Sequence, residues 1–241
     1  MSLNIKILSD LHFEHHKDDG RGFIKSLSSD GVDVLVLAGD ITSQALMKST
    51  LKLFCDKFKY VVFVLGNHEY YGSNRNDVVA TAWLAHQDNK NLHWLDNTTC
   101  VIEGQRFVGT TLWFRQSIST TLYRDSINDF FEIEGFDSWV YELNHTSLKF
   151  LEEEMREGDV AITHHLPSNK SVGLKYERSS INCFFVCDIE NIIAEKGPAL
   201  FIHGHGHSSS EYFIGDTQVV SNPFGYNGEN KEFKEHLVIT V

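Results

Sequence analysis

Two apolar runs set the strongest constraint on the fold. Val32-Asp33-Val34-Leu35-Val36-Leu37-Ala38 and Tyr60-Val61-Val62-Phe63-Val64-Leu65 are nearly continuous rather than alternating. A strand with one wet face alternates. A strand that is apolar at successive positions needs cover on both faces. The residues between the runs supply such cover. Met47, Leu51, Phe54 and Phe58 recur at spacings of 4, 3 and 4, one face of a helix, and Thr42 or Ser43 can cap it. A short strand, Asn4 to Ser9, precedes them, and a helix from Asn74 to His86 follows, with Val78, Val79, Ala82 and His86 on one side. Strand–helix–strand–helix–strand–helix is an α/β pattern.

The middle of the chain has a different pattern. Thr98 to Ile102 and Gln105 to Leu112 flank Glu103-Gly104 as a hairpin. Thr120 to Phe130 and Val140 to Arg156 read as helices, the second with Leu143, Leu148, Leu151 and Met155 on one face. Strands are expected at Asp159 to Thr163 and Ala199 to His203. A hairpin is expected about Gly215-Asp216, and an edge strand at His236 to Val241. Residues 166–187 are polar and aperiodic, the character of a functional loop. With no repeat or linker, residues 1–241 are expected to form one domain.

Composition narrows the function. The 241 residues are 41% hydrophobic and 22% charged, enough to build a core. The net charge is −12, which disfavours long nucleic acid and anionic membranes as partners but admits a small phosphate compound at a cation site. No run of about 18 apolar residues exists, and the start of the chain lacks a secretory pattern. Cys55, Cys100, Cys183 and Cys187 form no Cys-x-x-Cys pair and read as reduced, so a cytoplasmic location is expected.

The polar residues that follow the strands carry the chemistry. Asp10-x-His12, Asp40, Asn67-His68, His164 and His205-x-His207 each stand just after an expected strand. Sites in α/β sheets form at the carboxyl ends of strands, so five such ends suggest one cleft. Two Asp, one Asn and four His are too many donors for one tetrahedral zinc. They suit two divalent cations about 3.5–4 Å apart that share a carboxylate.

Ser9-Asp10-Leu11-His12, Gly39-Asp40, Gly66-Asn67-His68-Glu69, Thr163-His164-His165 and Gly204-His205-Gly206-His207 resemble, in order and spacing, the calcineurin-like metallophosphoesterase superfamily. The resemblance implies two face-to-face mixed β-sheets with helices on both outer sides, a four-layer α/β/β/α sandwich. It implies that Asp10, His12 and His207 hold one metal, that Asn67, His164 and His205 hold the other, and that Asp40 bridges them. Two divalent ions are implied, Mn, Fe, Zn or Ni, with Mn favoured. A hydroxide bridging them would hydrolyse a small phosphate ester, diester or monoester unresolved. His68 would protonate the leaving oxygen or stabilise charge there. Asn67, with its NH₂ group, would also touch a phosphate oxygen. Asp40, Asn67 and His68 are therefore the expected catalytic set. The alternative is a non-catalytic binding scaffold on the same fold. A looser likeness, in Thr111-Leu112-Trp113, Asn128-Asp129-Phe130 and Lys175 to Asn182, is to uncharacterised bacterial and phage phosphoesterases. It implies that residues 168–185 shape the substrate pocket.

Several residues have plainer readings. His165 is expected to face the phosphate or to lie behind the ligands. Arg178 is a substrate-contact candidate, with Lys175 and Asn182, if the long loop covers the site. His203 should point to the side of His205 by strand period and pack in the core. Glu69 is expected to bond its own loop. Trp113 and Phe114 read as core, and His15, His16 and His145 as surface.

Overall fold

The apolar runs become central strands covered on both faces. The computed structural model describes residues 2–241. In chain order its strands are β1 (Asn4–Leu8), β2 (Val34–Ala38), β3 (Tyr60–Val64), β4 (Ser73–Asn74), β5 (Leu92–Trp94), β6 (Thr98–Ile102), β7 (Gln105–Thr110), β8 (Ile133–Glu134), β9 (Val160–Thr163), β10 (Leu200–His203), β11 (Ser210–Ile214), β12 (Thr217–Ser221) and β13 (Val238–Thr240). The α-helices are α1 (Arg21–Ser26), α2 (Gln44–Lys57), α3 (Arg75–Asp88), α4 (Ile118–Leu122), α5 (Asp129–Glu132), α6 (Val140–Glu154) and α7 (Glu190–Lys196).

The first sheet has the order β13-β1-β2-β3-β5, parallel except for β13. The second has the order β11-β12-β10-β9-β7-β6, parallel at its centre with antiparallel hairpins at both edges. Strands β4 and β8 form a small separate pair.

Strand alternation sorts the core into layers. Val34, Val36, Val62 and Val64 face Val160, Ile162, Leu200 and Ile202 between the sheets. Leu35, Leu37, Val61 and Phe63 turn outward onto Met47, Leu51, Phe54 and Ala82 of α2 and α3. On the other side, Val108, Ala161, Phe201 and Val219 pack on Leu148, Leu151, Ile192 and Ile193 of α6 and α7. The result is helix, sheet, sheet, helix, the expected sandwich.

Local expectations hold where pattern and packing agree. Ser43 is the N-cap residue of α2, and Asn74 caps α3 by accepting the Asp77 amide at 3.0 Å. The 103–104 turn has both residues at positive φ, as a tight hairpin needs. The closing strand β13 pairs antiparallel with β1.

One expected helix does not form. Residues 120–130 do not form a single helix. They break into α4, a 3-10 turn at Arg124–Ser126, an extended Ile127 and α5. The break buries Ile127 and Asp129, and Asp129 is drawn toward Asn67. A continuous helix could not aim both inward. Residues 166–187 form three 3-10 turns, Asn169–Ser171, Leu174–Tyr176 and Ser180–Phe184. Their base is closed by the Leu166 amide to the Phe185 carbonyl at 3.0 Å and the Cys187 amide to the Leu166 carbonyl at 2.9 Å. The segment leaves and returns at one point, like an Ω-loop.

Ile162→Ala should lower the unfolding free energy by about 2–5 kcal/mol, read by urea titration. A loss below about 1 kcal/mol would contradict a shared core between the sheets.

Candidate metal centre

Strands β1, β2, β3, β9 and β10 end at one rim, where both sheets meet. The next few residues of each supply Asp10 and His12, Asp40, Asn67 and His68, His164, and His205 and His207. These turns are not ordinary. Asp10, His12, Asp40, His205 and His207 all have positive φ, between 45° and 68°. Left-handed backbone in non-glycine residues is strained and gathers at functional sites. Neighbouring glycines make the close approach feasible. A Cβ on Gly66 would overlap Asp40 Oδ1, and one on Gly39, itself at φ +84°, would overlap the His164 ring.

Two carboxylates knit the rim. Asp10 is fully buried and accepts the His205 amide through Oδ1 at 2.9 Å and Oδ2 at 3.1 Å, tying the first sheet to the second. Asp40 accepts the His68 amide at 2.8 Å and faces His164 Nε2 at 3.3 Å. Glu69 goes beyond its own loop. Its carboxylate accepts four amides: Gly66 at 2.7 Å, Asp40 at 3.0 Å, Ile41 at 2.7 Å and Thr42 at 3.2 Å. It thereby fixes the turn after β2 against the turn after β3. Burial and the Asp40 charge push it up to about 7, against the pull of those donors.

The donor atoms form two groups. Those of Asp10, His12 and His207 lie within 4.8 Å of one another, and so do those of Asp40, His164 and His205. Asn67 Oδ1 joins the second group, 3.1 Å from His164 Nε2. Asp40 also groups with His12 and His68, which places it between the two clusters.

The imidazoles are aimed from behind. The Nδ1–H of His12 donates to Glu14 at 3.3 Å, that of His164 to the Ala38 carbonyl at 2.9 Å, and that of His207 to Glu229 at 2.8 Å. Each Nε2 is left facing inward, and the Nε2 atoms of His12 and His207 are 3.0 Å apart. Outer acceptors that fix the tautomer are the usual support of metal-binding histidines. The chemistry and convergence of this donor set fit divalent cations.

Proton affinities agree. Burial alone would lower His164, but the charge and hydrogen bond of Asp40 override it and raise it to about 9. Burial likewise opposes His207, which its bond to Asp10 lifts to about 9. Burial would raise Asp10, yet the bond and charge of His207 hold it below the usual carboxylate range. Burial drives His205 well down, with His165 and His164 adding to it. Each buried carboxylate thus raises the proton affinity of the imidazole it faces, and a cation would take the place of that proton.

The structure places the remaining candidates as follows. His68 stacks on Tyr71 at 4.2 Å between ring centroids. Its Nδ1–H donates to Glu14 at 3.0 Å, and its Nε2 lies 3.2 Å from the Tyr226 hydroxyl on the cavity wall. The Asn67 NH₂ group is not free for a phosphate. It donates to Asp129 at 2.9 Å and to the Tyr71 hydroxyl at 3.2 Å, and Tyr71 in turn donates to Asp129 at 2.6 Å. This pair turns Oδ1 toward the donor cluster. His165 does not face a phosphate. It is fully buried behind His205, ring to ring at 4.3 Å, packed against Trp113 and Phe114, and burial lowers it to about 3. Arg178 and Lys175 are exposed and stand off the cavity wall, whereas Asn182 is on it. His203 is buried as expected, but it does not join His205 on the cavity wall; β10 ends between them. It is buried against Ser171 at 2.8 Å. Trp113 and Phe114 are core, and His15 and His145 are exposed.

Glu14, Asp129, Tyr226 and Glu229 are additional participants. Glu14 follows His12 by two residues, and Asp129 lies in the Asn128-Asp129-Phe130 stretch, so each left a trace in the sequence. Tyr226 and Glu229 left none.

With this geometry in view, comparison with known proteins defines the class. Residues 3–209 match the family model described as calcineurin-like phosphoesterase. The chain belongs to that family. An uncharacterised protein, L509, of Acanthamoeba polyphaga mimivirus is 25% identical over 276 residues, spanning 98% of this chain and 96% of that protein. Among solved structures, the fold is similar to that of the phosphopantetheinyl hydrolase PptH of Mycobacterium tuberculosis. The TM-score is 0.78 at 16% identity, covering 100% of this chain and 96% of that one. It is also similar to TT1561 of Thermus thermophilus, with a TM-score of 0.63 at 13% identity over 92% and 90% of the two chains. A dimetal phosphatase from Danio rerio has a TM-score of 0.51 at 13% identity over 91% and 86%. These likenesses concern the fold.

Two outcomes are expected. Metal loading at pH 7.5 should release about two protons per chain, because His164 and His207 must give theirs up, and fewer at pH 10. Calorimetry in buffers of different ionisation enthalpy reads this. Glu69→Ala should cost about 3–5 kcal/mol of stability by orphaning buried amides, read by denaturant titration.

Proposed function

We propose that the chain is a phosphoesterase that works with two divalent cations, one held by Asp10, His12 and His207 and the other by Asn67, His164 and His205, with Asp40 between. The observation that carries this is the pair of donor clusters meeting at Asp40, with three of the imidazoles anchored from behind. Bound there, the cations supply Lewis acidity, drawing charge from the phosphoryl oxygens and acidifying bound water. Manganese is the first metal to test, with iron, zinc and nickel beside it, since nitrogen and oxygen donors suit all four.

The protein's own groups supply the rest. Asp129 and Tyr71 hold the Asn67 amide so that its oxygen stays inward. Glu14 fixes His68 through Nδ1, so that a proton on Nε2 faces the cavity, where a leaving ester oxygen can take it. Burial lowers the proton affinity of His68, but Asp40 and Glu14 outweigh it and raise the group above its ordinary value. A general acid needs its proton at working pH. Residues 1–241 act as one domain in which the 166–187 segment shapes the pocket, since its residues line one wall. The four free thiols favour a reducing, cytoplasmic setting.

Metal-stripped protein, reloaded with each metal, should hydrolyse bis-nitrophenyl phosphate or nitrophenyl phosphate. The ratio of the two rates assigns diester or monoester preference. A phosphopantetheine diester belongs in the panel because of the name of the Mycobacterium neighbour. Asp40→Asn should abolish turnover and weaken both metal positions by elemental analysis. Full turnover in that variant contradicts the two-cation reading. His68→Ala should retain both metals and slow turnover by about 10²–10⁴, most of all for alkyl leaving groups. An equal loss for nitrophenyl and alkyl esters excludes His68 as the acid. No turnover with any metal would leave the scaffold reading in place.

A further inference from the structure

The cavity beside the donor clusters has a second half that hydrolysis alone does not need. Its volume is about 320 Å³, at the lower end of the roughly 300–1,000 Å³ typical of small-molecule sites. One end is walled by Asp40, Asn67, His68, His205 and His207. The other end is walled by Ile127, Leu166, Val172, Ile181, Phe184 and Phe185. The two ends are continuous, because the Phe185 ring stacks on His205 at 4.5 Å between centroids.

The polar groups in the second half are neutral. They are the amides of Asn128 and Asn182 and the hydroxyls of Ser126, Ser179 and Tyr176. Among the described residues, no Lys or Arg lines the cavity. Its acidic members are committed: Asp40 to the His68 amide and His164, Asp129 to Asn67 and Tyr71, and Glu229 to His207. A carboxylate, a second phosphate or a polyphosphate in this half would lose water and meet no cation on the wall itself; Lys175, with Nζ 3.1 Å from the Tyr176 hydroxyl, stands exposed at the rim. The net charge of −12 adds to the repulsion. An uncharged organic group gains from the apolar wall and can bond the Asn128 amide, the Asn182 NH₂ group being already given to the Tyr176 carbonyl at 2.7 Å.

We propose that the substrate is a phosphate ester whose organic arm is uncharged and mostly apolar, an alkyl or aryl chain with at most an amide or hydroxyl. The arm lies between the 126–129 and 172–185 segments while the phosphoryl group lies at the metal centre. This rests on the phosphoesterase reading and adds its selectivity: nucleotides, sugar phosphates with a charged tail and polyphosphates are poor substrates.

The test uses the manganese-loaded full chain and a series of nitrophenyl alkyl phosphodiesters with one common leaving group. From ethyl to hexyl, kcat/KM should rise about threefold to fourfold per methylene. A carboxylate or second phosphate at the far end should lower it at least tenfold, and the nitrophenyl ester of thymidine 5′-phosphate, with a nucleoside arm, should trail the hexyl ester. Ile181→Lys and Val172→Lys, checked for folding by thermal melts, should each shrink the hexyl-to-ω-carboxylate preference at least tenfold. A flat chain-length profile, a preference for the charged or nucleoside arm, or an unchanged preference in folded lysine variants overturns this inference while leaving the phosphoesterase reading intact. Silence across the whole series with every metal removes both.

Discussion

Two buried carboxylates, Asp10 and Asp40, set the terms for everything around them. An anion withdrawn from water must be met by hydrogen bonds and positive charge, or folding suffers. Asp10 meets the His205 amide and His207, and Asp40 meets the His68 amide and His164. These partners come from both sheets, so satisfying the two charges and closing the sandwich are one event. The same demand makes the rim attractive to cations. What stabilises the carboxylates with protons on imidazole also stabilises them with metal.

Strain at the rim follows from that geometry. Several chain segments must bring short side chains to a common point within hydrogen-bonding distance. Extended or helical backbone would point those side chains along the sheet faces or away, so five of the residues adopt left-handed turns. The glycines at 39 and 66 leave room, and Glu69 fastens the two most crowded turns through their amides. Rigidity is built into the backbone before any ligand arrives, and preorganisation of this kind lowers the cost of binding and of reorganisation during reaction.

The α/β layering and the donor-bearing segments were legible because both write themselves locally, whereas the two-sheet sandwich followed only from the resemblance of those segments to a family. Buried parallel strands are apolar at successive positions, and a polar residue just past such a strand has one place to go. The supporting groups were not legible in this way. Asp129 reaches Asn67 only because a helix breaks at Ile127, a break dictated by tertiary contacts and invisible to periodicity. His165 and Arg178 suit phosphate by their chemistry, but burial removes the first and the course of the 166–187 segment removes the second. Tyr226 and Glu229 come from a stretch beyond the family match, where no motif draws attention to them.

That last stretch has a consequence for how the molecule comes into being. Strand β13 pairs with β1, more than two hundred positions earlier, and the stretch leading to β13 supplies the acceptor behind His207. A growing polypeptide can assemble the inner strands early. The acceptor that orients His207 is added only when the 226–240 stretch leaves the ribosome and pairs against β1, so the outermost donor of the first cluster is the last to be fixed.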